Sequence, residues 1–82
     1  MKANVYVTLK TEVLDPQGEA VKRALGALGF AGVQNVRVGK LIELELAPAS
    51  PQAAATELRA MCEKLLANPI VEDFRFELDH GA

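Results

Sequence analysis

Between Asn4 and Lys10 the string N-V-Y-V-T-L-K places Val5, Val7 and Leu9 on one side and Asn4, Tyr6, Thr8 and Lys10 on the other. A period of two predicts a half-buried strand, set over residues 3–10. After the polar turn Asp15-Pro16-Gln17-Gly18 the period changes. Val21, Ala24, Leu25 and Leu28 recur at i, i+3, i+4 and i+7, which predicts an amphipathic helix over residues 16–28. Asp15 is positioned to accept the free N–H groups of its first turn, and Pro16 suits the first helical position because the N–H it lacks would go unpaired there anyway. Gly29 supplies the left-handed residue that stops the helix.

From Val33 to Leu46 the pattern is strand-like again. Val36, Val38, Ile42, Leu44 and Leu46 alternate with Asn35, Arg37, Glu43 and Glu45, and Gly39 interrupts the run. The apolar positions on both sides of Gly39 are even-numbered. The chain therefore turns through an odd-length loop or continues as one kinked strand, since a two-residue turn would put Val36 and Glu43 on one face. The expected form is a hairpin of strands 33–38 and 41–46 around Arg37-Val38-Gly39, with Gly39 left-handed beside a bulge.

A Pro/Ala linker, Ala47 to Pro51, leads to Ser50 as a cap and Pro51 as the opening of a second helix over residues 51–67. That helix is expected to bury Ala54, Leu58, Met61, Cys62 and Leu65, and Asn68 before Pro69 ends it. The last strand, residues 70–78, turns Phe74, Phe76 and Leu78 inward and Asp73, Arg75 and Glu77 outward. Residues 79–82 have nothing to bury and read as a frayed tail.

The order strand, Pro-Gln, helix, strand occurs twice, with Pro16-Gln17 answered by Pro51-Gln52 and Val36-Arg37-Val38 by Phe74-Arg75-Phe76. Two such halves in series give an α+β domain, β-α-β-β-α-β, of the ferredoxin-like type, with both helices on one face of an antiparallel sheet. The other face is expected to carry Asn4, Tyr6, Thr8, Asn35, Arg37, Glu43, Glu45, Asp73, Arg75 and Glu77.

Composition narrows the chemistry. The chain has 82 residues, half of them apolar, 9 basic and 11 acidic side chains and a net charge of −2. That is one domain, too apolar for disorder and without the ~20-residue apolar run of a membrane span. A pI near 5.3 argues against nucleic acid as a partner. One cysteine, Cys62, excludes an internal disulfide and a multi-thiolate metal site, and its presence without a signal peptide fits a cytoplasmic protein.

Few residues invite catalysis. Cys62 lies on an apolar helical stripe, His80 lies in the tail, and Ser50 is explained by its cap, so no nucleophile with a positioned base can be assembled. The glycines lack phosphate-loop or dinucleotide spacing. Neither a catalytic, a cofactor-binding nor a metal-binding residue is expected. Gly18, Gly29, Gly39, Asn68 and Pro69, like Asp15 and Pro16, are accounted for by turn and cap chemistry. Arg37, Lys40, Glu72 and Asp73 are not, and with Tyr6 and Arg75 on the open sheet face they are the candidate protein-interface residues.

Three strings carry a resemblance across almost the whole chain: V-Y-V-T-L-K-T-E-V-L-D-P-Q-G-E-A (Val5 to Ala20), V-Q-N-V-R-V-G-K-L-I-E-L (Val33 to Leu44) and M-C-E-K-L-L-A-N-P-I-V-E-D-F (Met61 to Phe74). They resemble the small S subunit (PurS) family of phosphoribosylformylglycinamidine synthase. The chain departs from that pattern in its Pro/Ala-rich stretch from Ala47 to Thr56 and in Phe74, where relatives often have Tyr. The resemblance implies a part in purine biosynthesis, in the complex that converts formylglycinamide ribonucleotide, glutamine and ATP to the amidine. It implies a non-catalytic subunit that bridges a glutaminase subunit and a large synthetase subunit using ATP and Mg, supports ammonia transfer, and associates at least as a homodimer. The alternative on the same fold is a regulatory ligand-binding domain, for which fold analogy is the only support.

Overall fold

The computed structural model describes residues 1–79. Its elements run β1 (Lys2–Leu9), α1 (Pro16–Ala27), β2 (Gly39–Glu45), α2 (Pro51–Met61), a π-helical turn continuing α2 (Cys62–Leu66), and β3 (Glu72–Asp79). The three strands form one antiparallel sheet in the order β2-β1-β3. Val5 sits opposite Ile42 on one side and Phe76 on the other, and Ala3 opposite Leu44 and Leu78. Cross-strand partners share a face, so the alternation in the sequence builds one apolar face.

That face is covered by α2. Ala54, Leu58 and Cys62 are buried with Ala3, Val5 and Val7, while Ile42, Leu44, Phe74, Phe76 and Leu78 pack at the margin. Each fully buried large side chain contributes ~1.5–3 kcal/mol. Arg59 lies 5.3 Å from the Phe76 ring centroid and closes one side. The expected caps are present: Asp15 accepts from Gly18 N at 2.9 Å and Ser50 from Ala53 N at 3.1 Å. At the end of α1, Gly29 has φ +98°, Phe30 N donates to Leu25 O and Gly29 N to Gly26 O. Those two bonds satisfy carbonyls that the helix end leaves free.

The α+β class and the ferredoxin-like arrangement stand, but four local expectations change. Residues 33–38 form no strand, so the sheet has three strands and the hairpin at Gly39 is not made. Gly39 is not left-handed either; Gly29 is the positive-φ glycine. A side chain at Gly39 would meet Val7 O at 2.5 Å and Thr8 Cγ2 at 2.7 Å, so close approach to β1 is what requires glycine there. Leu65 is 82% exposed instead of buried. The turn from Cys62 to Leu66 closes through Ala67 N donating to Cys62 O, and its extra residue rotates Leu66 onto the core in place of Leu65. Asp79, placed in the tail by its polarity, pairs with Lys2 as the last residue of β3. The remainder of the expected tail, His80 to Ala82, lies outside the described residues.

Helix α1 contributes no side chain to this core. Its stripe is left bare, with Leu28 73% exposed and Phe30 just beyond it 57% exposed. The molecule measures 48 × 30 × 14 Å with a radius of gyration of 16.2 Å, against about 12 Å for a compact chain of this length.

Candidate functional site

Two groupings gather the candidate residues. The first lies where the sheet ends and α1 begins. The antiparallel register that pairs Thr8 with Gly39 continues past the ladder, bringing Arg37 level with Lys10. Arg37 Nη2 donates to Lys10 O at 2.6 Å and Leu9 O at 3.0 Å, and Nη1 to Val13 O at 3.3 Å. Three carbonyls of the β1–α1 loop thus hold one planar guanidinium, a geometry an ammonium cannot reproduce. Beside it Asp15, only 4% exposed, caps α1 with one oxygen and accepts from Val38 N at 2.8 Å with the other. The Val38 and Gly18 N–H groups hold the Asp15 carboxyl below its ordinary pKa, against the opposing effect of desolvation. Gly18 is buried because the Val36 carbonyl crosses directly over it.

Lys40 and Glu72 meet on the helix side of the same end. Their charged atoms are 3.9 Å apart, bridging β2 and β3 across β1. Glu72 Oε1 also accepts from Asn68 N at 2.6 Å, and Asn68 Oδ1 from Ile70 N at 3.0 Å, so these residues close the loop into β3. A cavity of about 270 Å³ opens here, lined by Val7, Leu9, Gln17, Val38, Lys40 and Glu72.

The second grouping is on the open sheet face. Arg75 is stacked 3.9 Å from the Tyr6 ring centroid and its Nη1 lies 3.9 Å from Glu77 Oε1. Hydrogen bonding to the Glu77 carboxylate is the main cause that raises the Tyr6 phenol above its ordinary pKa. Asp73 joins Tyr6 and Arg75 around a shallow depression. Such an Arg-aromatic centre within a charged rim resembles the anchors of protein interfaces.

Of the six candidates, the structure brings Tyr6, Asp73 and Arg75 together, pairs Lys40 with Glu72 on the opposite face, and ties Arg37 to the end of β1 and the β1–α1 loop. It adds exposed apolar residues that the sequence analysis did not single out. Leu41, 51% exposed, pairs with Tyr6 on the open face, and its odd number beside the even-numbered inward set was the available signal. Leu14 and Ile70 carried no comparable signal.

No reactive centre forms among these groups. Cys62 is fully buried, and burial pushes its thiol above the ordinary value. Among the described residues no cluster of three or more His, Cys, Asp or Glu could hold a metal ion, and no helix is long and apolar enough to cross a membrane.

Known proteins match this arrangement over nearly its full length. The family model described as PurS, phosphoribosylformylglycinamidine (FGAM) synthase, matches residues 2–80. The chain belongs to the PurS family. The PurS subunit of phosphoribosylformylglycinamidine synthase from Bacillus subtilis is 47% identical over 78 residues, 95% of this chain and 92% of that subunit. The solved structure of B. subtilis PurS superposes with a TM-score of 0.84, covering 96% of this chain and 98% of the other. A chain in the solved structure of PurLQS from Thermotoga maritima is 33% identical, with a TM-score of 0.84 and 93% of each chain covered. Both superpositions extend over more than nine-tenths of this chain.

Proposed function

We propose that this chain is the small, non-catalytic subunit of phosphoribosylformylglycinamidine synthase in purine biosynthesis, joining a glutaminase subunit to a large synthetase subunit. The observation that carries this reading is the match, over 93% of both chains, to a chain of the T. maritima PurLQS structure. Within that assembly ATP and Mg belong to the large subunit, and this chain contributes surfaces and supports the passage of ammonia. The chemistry agrees: glutamine hydrolysis requires an activated nucleophile, and the one thiol here is buried with a raised pKa. The subunit works in the cytoplasm and self-associates, because a bare apolar stripe on α1 is costly in water and a copy of the chain is always at hand to cover it.

The open sheet face around Tyr6, Asp73 and Arg75 is the surface offered to a larger subunit. Lys40 and Glu72 shape the rim on the opposite face, and Arg37 acts by holding the β1–α1 loop in place. The test is reconstitution with the two larger subunits. Amidine formation from glutamine is expected to require this chain, with no glutaminase or ATPase activity when it is alone. Full coupling of the two larger subunits in its absence would refute the proposal.

A further inference from the structure

On the open face of the sheet the register sets residues side by side in rows of three. Thr8 lies between Gly39 and Asp73, Tyr6 between Leu41 and Arg75, Asn4 between Glu43 and Glu77, and Lys2 between Glu45 and Asp79. The Tyr6 row is an apolar centre, with Arg75 stacked on the ring and Leu41 half exposed beside it. The Asn4 and Lys2 rows place a carboxylate on each outer strand. Four carboxylates thus surround the one cation Lys2, so this end of the face carries −3 where the whole chain carries −2. Glu43 and Glu77 are two strands apart, ~10 Å, about a Debye length at physiological salt, so their fields overlap. Among the described residues Glu43 and Glu45 stand in no ion pair. Beyond the other end of the ladder the sign reverses at Lys10 and Arg37, but the loop carbonyls hold Arg37.

We propose that this face cradles one basic amphipathic helix of a larger subunit, lying along β1 with an apolar side chain against Tyr6 and Leu41 and with lysine or arginine side chains over Glu43, Glu45 and Glu77. This rests on the reading above of the face as the surface offered to a larger subunit, and it names the chemistry of what the face takes. The charge selects the occupant. A nucleic acid or an anionic membrane is repelled by the acidic end. The open face of a second copy is no match: laid in one sense it sets −3 against −3, and in the other it offers the carboxylates little beyond Lys10, because Arg37 is held. The dimensions select a helix. The outer strands are ~10 Å apart, the width of one helix with its side chains, and the eight residues of β1 run ~26 Å, the length of ~17 helical residues. The inner face of the same sheet shows the fit, since α2 and its π-helical continuation supply all the helical side chains of the core there. A helix on the outer face completes a third layer.

The test measures binding of the full-length chain to each larger subunit at low and at physiological ionic strength. For one of them the affinity of the parent is expected to fall as salt rises. Glu43→Lys is expected to weaken that binding about tenfold or more and to flatten its salt dependence, with the far-ultraviolet circular dichroism unchanged. Glu57→Lys makes the same charge change at an exposed position of α2, off the open face, and is expected to bind as the parent does. Photo-cross-linkers carried separately on Glu45→Cys and Asp73→Cys report the shape of the partner; Cys62 is buried and is left in place. Glu45 is level with Lys2 and Asp73 with Thr8, ~20 Å along β1, so the two attachments are expected ~13 residues apart in one segment of the subunit if that segment is a helix and ~6 apart if it is a strand. Equal effects of Glu43→Lys and Glu57→Lys, attachments ~6 residues apart, or attachments in unconnected segments overturn the proposal. In each of those cases amidine formation that still requires this chain leaves the adaptor reading standing. A parent chain that binds neither larger subunit overturns both.

Discussion

Exchanging Gly18 or Gly26 for alanine makes the same chemical change in the same helix, yet the structure assigns the two substitutions opposite signs. By helix propensity alone each should stabilise α1 by at most ~1 kcal/mol, since alanine has less freedom to lose on folding. Gly26 lies on the face of α1 opposite the apolar stripe, and a Cβ there meets nothing within 4 Å. Its replacement is expected to add ~0.5–1 kcal/mol. At Gly18 the new methyl falls on the Val36 carbonyl and within 2.9 Å of Asp15 Oδ2. Neither neighbour can withdraw freely, because Arg37 is tied to three carbonyls and Val38 N to Asp15. Overpacking costs ~1–3 kcal/mol, and so close an overlap with a held carbonyl oxygen belongs to the upper part of that range, ~2–3 kcal/mol. That outweighs a propensity gain of ~1 kcal/mol and leaves a net loss of ~1–2 kcal/mol. For a domain of this size Tm is expected to fall by ~4–16 °C for Gly18→Ala and to rise by ~2–8 °C for Gly26→Ala. Thermal melts at one protein concentration are the assay, since association with copies also moves Tm. Equal stabilisation by both substitutions would mean that residues 36–38 do not lie across the start of α1, and the account of the loop junction would fail.

Three further outcomes follow from the same contacts. Arg37→Ala is expected to cost ~1 kcal/mol in urea unfolding by releasing three exposed carbonyl bonds, and Arg37→Lys to recover less than half of it; a stability equal to the parent for either variant would return Arg37 to a purely external role. Asp15 has a lowered pKa when folded, so its contribution is full above the unfolded value of ~3.9 and fades as pH falls through the folded value. The stability gap between the parent and Asp15→Asn should therefore be constant above about pH 5 and shrink below about pH 4, whereas a gap that widens on acidification contradicts the assignment. Finally, Cys62 should react with an aromatic disulfide reagent only as fast as the fold opens, with labelling accelerating in step with added urea; rapid labelling of the native chain would place the thiol outside the core.

Much of this molecule was determined by the order of its residues alone. Val5, Val7, Ile42, Leu44, Phe74 and Phe76 alternate strictly enough to fix three strands and the inward side of each. Asp15-Pro16, Ser50-Pro51 and Gly29 mark helix ends because a cap acts over three or four residues and needs no distant partner. The three long motifs likewise identified the family before any coordinate. The alternation of β3 also put Arg75 and Asp73 on the open face with Tyr6, so that grouping was legible in outline.

What only the tertiary structure decided are matters settled between segments far apart in the chain. Val33 to Val38 has strand composition, and composition cannot tell whether a pairing edge lies within the same copy. Arg37 looked free because the carbonyls that hold it belong to residues 24 to 28 positions earlier. Gly39 invited a left-handed turn, but what demands glycine there is the backbone of β1, invisible to any local pattern. Leu65 and Leu66 exchanged roles through a single wider helical turn, a change smaller than the periodicity can register. Periodicity and capping are properties of neighbours along the chain and can be read there. Close approach, hydrogen bonding between loops and vacant strand edges are properties of neighbours in space, and they exist only once the chain has folded.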